Sequence, residues 1–215
     1  MIHERPSKPL SFGRIEEVTA GVPWMDPGRG RWLAQFLRDQ NIRRCLEVGI
    51  LHGSGTCWIA GAIAHIPGAK VWALDLPSSA QLDPNAESLL AKLGLSVGGC
   101  GDGSLVHICR DVAGASWTLV RMLRWRPRWR LDFAYIDADH TLESTLLYWY
   151  LAGQAIRPGG WILFDDIGNP DYPALDYAWT HVIKETPGWD GRGAMSRGLW
   201  RLIQKRADAP WFTDA

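Results

Sequence analysis

The sequence predicts a doubly wound α/β fold with a mostly parallel sheet, and three observations carry that expectation. Strand-like apolar runs at 43–50, 70–76, 104–109, 131–138 and 159–166 alternate with helical segments near 54–66, 83–93, 114–125 and 141–156. Such alternation builds right-handed βαβ units with parallel strands. The first run, Leu46-Glu47-Val48, enters the turn Gly49-Ile50-Leu51-His52-Gly53-Ser54-Gly55, which opens a helix. The second run closes on Asp75, the fourth on Asp137 and the fifth on Asp165-Asp166. In a parallel sheet these acids fall at one edge, where open α/β sheets bind ligands.

Local signals justify each element in chain order. Asp26-Pro27 caps a helix whose Trp32, Leu33, Phe36 and Leu37 share one face. Asp83-Pro84 places a cap and a first-turn proline before Leu89, Leu90 and Leu93, and Gly94 ends that helix. Arg157-Pro158-Gly159-Gly160 stops the long helix and releases Trp161-Ile162-Leu163-Phe164. A helix over 173–186 ends at Pro187-Gly188, and a Gly-rich turn leads into the strand Leu199-Trp200-Arg201-Leu202-Ile203. With 215 residues, no linker and no repeat, one domain is expected: a cap segment and helix over 1–40, then a ligand-binding body over 41–215.

Composition narrows the partners. Lys plus Arg equals Asp plus Glu at 23 each, so no global field draws in nucleic acid or membrane. No run approaches the ~20 apolar residues of a membrane span, and Met1-Ile2-His3-Glu4-Arg5-Pro6 lacks a signal-peptide core. Cys45, Cys57, Cys100 and Cys109 form no Cys-x-x-Cys pair; free core thiols in a reducing cytoplasm are expected. The run Arg121 to Arg130 mixes basic and aromatic residues, but a solvated helix terminus explains it better than a nucleic-acid surface. Most of the thirteen tryptophans fall where packing explains them, and Tyr148-Trp149-Tyr150 suggests packing or a homodimer face.

The glycine-rich turn selects among nucleotide sites. A NAD fingerprint needs a third glycine where Trp58 stands, and a phosphate loop needs a Gly-Lys-Ser/Thr that is missing. Gly49 and Gly53 allow close backbone approach to a ligand, and Ser54 begins a helix with free N–H groups. The pattern Glu47-x-Gly49-x-x-x-Gly53 resembles motif I of class I S-adenosylmethionine-dependent methyltransferases. That resemblance implies a Rossmann-like methyltransferase fold, here a seven-stranded sheet with an antiparallel terminal strand. It gives Asp75 the ribose hydroxyls and Glu47 the methionine end, and sets Arg110 and Asp111 near the adenine. Trp24 and Met25 resemble the apolar entry segment of catechol-type enzymes, lying over the cofactor, and Asp137 borders the same pocket.

The strand-end acids point further. Asp137, Asp165 and Asp166 converging at one edge would repel strongly without a cation, and hard oxygen donors suit Mg²⁺, Mn²⁺ or Ca²⁺. Ile136-Asp137-Ala138-Asp139-His140, followed by Phe164-Asp165-Asp166, resembles the metal-dependent O-methyltransferases of the catechol, caffeoyl-CoA and bacterial sugar or antibiotic branches. The resemblance implies Asp137, Asp165 and Asp166 as ligands of Mg²⁺ or another divalent cation, with His140, or in other branches Asp139, as the general base. Asp166 departs from the Asn often found in the catechol branch and favours the sugar or antibiotic branch. His140 at its ordinary pKa of about 6.5 could take a hydroxyl proton at neutral pH. The acceptor is then a small molecule, with Asn169, Tyr172 and Tyr177 as candidate contacts. A metal-free N- or C-methyltransferase and a non-catalytic nucleoside binder are the alternatives.

Overall fold

The structure, a computed structural model, describes residues 6–99, 103–125, 129–195 and 199–206, with the side chains of 192–195 excepted. The chain divides into two compact units, residues 1–114 and 115–215.

In the first unit, Ser11 accepts the Arg14 N–H at 3.2 Å and starts α1 (Phe12–Thr19). Asp26 accepts the Arg29 N–H at 3.0 Å ahead of α2 (Pro27–Asp39), as expected for a capped helix with a first-turn proline. Four parallel strands follow: β1 (Arg44–Val48), β2 (Lys70–Asp75), β3 (Val97–Gly98) and β4 (Val106–Arg110), in the order β3-β4-β2-β1. Between β1 and β2 runs α3 (Ser54–Ile63), buried along its whole length, so it carries no polar face. Both α1 and α2 pack against it. At the crossing, Gly30 of α2 faces the fully buried Trp58 of α3. This explains how the chain accommodates the tryptophan that rules out the NAD fingerprint.

The second unit holds α5 (Gly114–Trp125), α6 (Leu142–Ala155) and α7 (Pro173–Ala178), which continues into a π-helical turn over Trp179–Ile183. Its strands are β5 (Leu131–Ile136), β6 (Ile156–Phe164), β7 (Trp189–Met195) and β8 (Trp200–Lys205), in the order β5-β6-β8-β7. β5 and β6 are parallel, and β8 runs antiparallel to both of its neighbours. Buried Lys205 donates to the carbonyls of Ile156 at 2.9 Å and Gly153 at 3.3 Å, meeting the end of α6 with a cation.

Several expectations are corrected. The described residues hold eight strands rather than seven, because two-residue β3 is too short to show as an apolar run. The Gly-rich turn before the last strand is itself β7, held by its ladder to β8 despite its glycines. The helix expected from Asp83-Pro84 is α4 (Ala86–Lys92), and its cap is Asn85, which accepts the Ser88 N–H at 3.0 Å. Helix α1 went unpredicted because it buries only Ile15 and Thr19, too little for an apolar period. Cys45 and Cys57 are free and buried, but Cys109, half-buried near the end of β4, is disulfide-bonded. Cys100, Met1–Arg5 and the Arg126-Pro127-Arg128 part of the basic run lie outside the described residues. Among the described residues no helix is long and apolar enough to cross a membrane.

Candidate active site

The first unit holds the glycine-rich turn. Gly49 has φ +90° and donates to the Leu74 carbonyl at 3.0 Å, so β1 turns away while still tied to β2. Gly53 has φ +91° and begins α3. A Cβ there would sit 2.4 Å from the Ala86 Cβ and 2.5 Å from its Cα. The glycine is required by the approach of α4, not only by a ligand, a demand that motif spacing did not reveal.

Asp75 ends β2 with its Oδ2 accepting the Ile50 N–H at 2.9 Å and the Leu51 N–H at 2.8 Å, and its Oδ1 accepting the Leu76 N–H at 2.7 Å. A carboxylate offers about four acceptor positions. The side chain thus shapes the turn and keeps acceptor capacity on Oδ1. Glu47, 1% exposed, accepts the Thr56 hydroxyl at 2.5 Å beneath the start of α3. Burial, then the Glu47 charge, push the Cys57 thiol up, which makes that cysteine inert. Ser54 is 4% exposed and its Oγ has no hydrogen-bond partner. An orphaned hydroxyl beside the free N–H groups of α3 fits a polar ligand lying against the turn. His52 is held by its Nδ1 against the Pro84 carbonyl at 2.7 Å.

Other expected contacts are spent elsewhere. Both terminal nitrogens of Arg110 grip the Glu87 carboxylate, and its Nε donates to Ser79 at 2.8 Å. The Asp111 Oδ1 accepts the Ala113 N–H at 3.0 Å and organises the turn after β4. Arg110 therefore anchors α4 rather than presenting its guanidinium to a nucleobase. Arg110→Ala should cost about 1 kcal/mol of stability and leave S-adenosylhomocysteine affinity within about threefold, measured by thermal melting and calorimetry. The Arg110 hydrogen bonds hold the Glu87 carboxyl below its ordinary pKa of 4.5. The pair's stabilisation is thus complete above that value and fades as pH falls through the lowered native one. Trp24 is 76% exposed at φ 79°, whereas Met25 is buried, so only Met25 is packed into the protein.

The second unit builds an acidic cluster. β5 and β6 align Ile136 with Phe164, and the Asp165 N–H donates to the Ile136 carbonyl at 3.0 Å, which brings both acidic strand ends together. Asp137, His140 and Asp166 each present a ligand atom, all within 4.8 Å of one another. The His140 Nε2 is shielded from solvent, 3.1 Å from Asp166 Oδ2 and 3.8 Å from Asp137 Oδ1, but off the hydrogen-bond line to either. Tyr172 stacks on its ring, centroids 4.1 Å apart. Asp137, then Asp166, outweigh burial and raise His140 to about 9. Without an ion it is an imidazolium at neutral pH, not the base near 6.5 that the sequence suggested, because two carboxylates face it.

Asp165 stands apart from this trio. It is 5% exposed, its Oδ1 accepts the Asp166 N–H at 2.7 Å, and its Oδ2 accepts the Tyr135 hydroxyl at 2.5 Å. The structure gathers Asp137 and Asp166 with His140 rather than with Asp165. Asp139 is exposed at φ 56°, and one of its oxygens accepts the Tyr148 hydroxyl at 2.6 Å. Asp166 also has φ 56° and accepts from the Asn169 side chain at 3.2 Å. Two acids in the left-handed region mark both strand-end turns. Sequence reasoning missed Tyr135 and Tyr148, whose strand and helix positions read as packing.

A glycine turn at the end of a parallel strand, an acid closing the next strand and acids at two further strand ends define a class I methyltransferase. Comparison with known proteins agrees. A family described as "Methyltransferase domain" matches residues 46–167, more than half of the chain. The chain belongs to this family, and with it to the S-adenosylmethionine-dependent methyltransferases. Among solved structures it resembles an O-methyltransferase from Bacillus cereus in complex with SAH, at 22% identity and TM-score 0.67, covering 90% of this chain and 91% of that one. It also resembles the O-methyltransferase TomG from Streptomyces achromogenes, involved in tomaymycin synthesis and complexed with SAM: 18% identity, TM-score 0.64, coverage 91% and 89%. The SAH-bound Podospora anserina methyltransferase PaMTH1 matches at 18% identity and TM-score 0.65, covering 90% and 86%. No curated protein matches the chain in sequence.

Proposed function

We propose that this protein transfers the methyl group of S-adenosylmethionine to a hydroxyl of a small molecule, a sugar or specialised metabolite, with the help of a divalent cation. The observation that carries the cation is the Asp137, His140 and Asp166 trio: three ligand atoms within 4.8 Å, one a shielded imidazole nitrogen with no aligned partner. This donor set fits a divalent ion, and the imidazole moves the preference from Mg²⁺ toward Mn²⁺ and its neighbours. When bound, such an ion supplies Lewis-acid stabilisation of the alkoxide that develops on the acceptor.

The chain's own residues do the rest. Asp139 takes the hydroxyl proton, since it is exposed and keeps an oxygen beyond the Tyr148 contact, whereas the His140 Nε2 belongs to the ligand trio. The acceptor oxygen forms a bond to the methyl carbon as the carbon–sulfur bond breaks, and the electron pair leaves on the thioether of S-adenosylhomocysteine. Asp75, Ser54 and the N–H groups of α3 hold the nucleoside, so positioning supplies much of the acceleration. The names of the Bacillus cereus and Streptomyces achromogenes structures support O-methylation.

The test is methyl transfer from labelled S-adenosylmethionine to a panel of sugars, phenols and alcohols. EDTA should abolish turnover and Mn²⁺ restore it. Turnover untouched by EDTA would point to metal-free transfer to nitrogen or carbon, and nucleoside binding without turnover on any acceptor to a binding protein.

A further inference from the structure

We propose that Tyr135 is a positioning residue for the acidic cluster, and that Asp165 acts through it rather than as a direct ligand of the ion. The inference rests on the divalent-cation reading above. Tyr135 is buried in β5 at 1% exposure, and its hydroxyl touches two carboxylates from different strand ends: Asp165 Oδ2 at 2.5 Å and Asp137 Oδ2 at 3.2 Å. A neutral phenol carries one proton and can donate fully to only one acceptor at a time. The shorter contact assigns that proton to Asp165. Asp137 then meets the same oxygen with no proton of its own, an arrangement relieved when a cation draws on the Asp137 carboxylate.

Asp165 is consequently a hub. One oxygen receives the Tyr135 proton and the other the Asp166 N–H at 2.7 Å, so the buried charge is shared between both faces of the cluster. With those two contacts made, Asp165 stands outside the group of ligand atoms from Asp137, His140 and Asp166 that lie within 4.8 Å of one another. The Tyr135 ring is fixed in turn, edge-on to the fully buried Trp200 of β8, centroids 5.9 Å apart. Asp137 and Asp166 are therefore set by a chain of contacts running through Tyr135 and Asp165. Such outer contacts commonly govern metal affinity by about 10- to 100-fold.

The experiment titrates Mn²⁺ into the full-length chain, following free Mn²⁺ by paramagnetic resonance, with melting temperatures recorded alongside. Tyr135→Phe and Asp165→Asn should each weaken Mn²⁺ binding by about tenfold or more. The double variant should weaken it no further than the worse single one, because both break the same chain. Asp137→Ala should abolish binding. A Tyr135→Phe protein that binds Mn²⁺ within about twofold of wild type overturns the proposal, as do additive losses in the double variant, which would mark two unrelated structural defects. Should Tyr135→Phe fail to fold, Asp165→Asn alone decides: retained affinity refutes the hub and a tenfold loss supports it. Total loss with Asp165→Asn, equal to Asp137→Ala, makes Asp165 a ligand and refutes it too. Wild-type protein that takes up no Mn²⁺ overturns the cation reading, and this inference with it, before any variant is compared.

Discussion

Gly30→Ala is expected to lower the melting temperature by about 6–12 °C, the equivalent of about 3 kcal/mol. The added Cβ would stand 2.2 Å from Cε2, 2.3 Å from Nε1 and 2.6 Å from Cδ2 of Trp58. No real carbon pair sits that close, so helix or ring must shift. Trp58 has nowhere to go: it is fully buried, and every residue of α3 around it is buried as well. Its indole N–H has no hydrogen-bond partner, so packing alone sets the ring's position. Overpacking of a closed core typically costs about 1–3 kcal/mol, and here the clash is with a ring rather than a flexible chain end. Gly13 in α1 is the control, because nothing lies within 4 Å of its added Cβ. Gly13→Ala should raise stability by about 0.5 kcal/mol through helix propensity. Thermal melts of both variants decide the matter: equal effects would mean that α2 and α3 are not packed as described.

The contrast between these glycines shows where sequence reasoning stops. The positions of β1, β2, β5 and β6 were legible because apolar runs and turn signals are local, and their acidic ends follow from strand length. The use of each side chain was not, because it depends on which distant residue folding brings alongside. Arg110 looked free for an adenine, yet Glu87, on α4, takes its guanidinium. Gly53 looked like ligand clearance, yet Ala86 needs the same space. Asp165 and Asp166 are neighbours in sequence, but the backbone turns at Asp166 with φ 56° and sends one carboxylate to Tyr135 and the other to His140. His140 was visible as a candidate, while its shift to about 9 required the two carboxylates to be placed first. Residues whose role is to orient others, Tyr135 and Tyr148, carry no sequence signal because tyrosine in a strand or helix is also ordinary packing.

Asp137→Ala should lower kcat by about 10³-fold, or about 4 kcal/mol of transition-state stabilisation, while S-adenosylhomocysteine affinity stays within about threefold. The asymmetry follows from where the residues lie. Asp75, Ser54 and the turn from Gly49 to Gly53 belong to the first unit and keep their own hydrogen bonds, whereas Asp137 belongs to the second, with His140 and Asp166. Removing Asp137 takes one of two carboxylates from the trio and leaves His140 facing Asp166 alone at 3.1 Å. That pair can neutralise itself, so the variant should fold but bind no cation. Asp139→Asn separates the roles: its carboxylate is exposed and bonded to Tyr148 rather than to the trio. It should retain Mn²⁺ binding while kcat falls by about 10²-fold, the scale of a lost general base. Calorimetry with S-adenosylhomocysteine, Mn²⁺ titration and steady-state kinetics on the same preparations separate these outcomes. If Asp137→Ala instead destroyed nucleoside binding and left Mn²⁺ uptake intact, the two units would have exchanged the tasks assigned to them, and the proposed division of labour would be wrong.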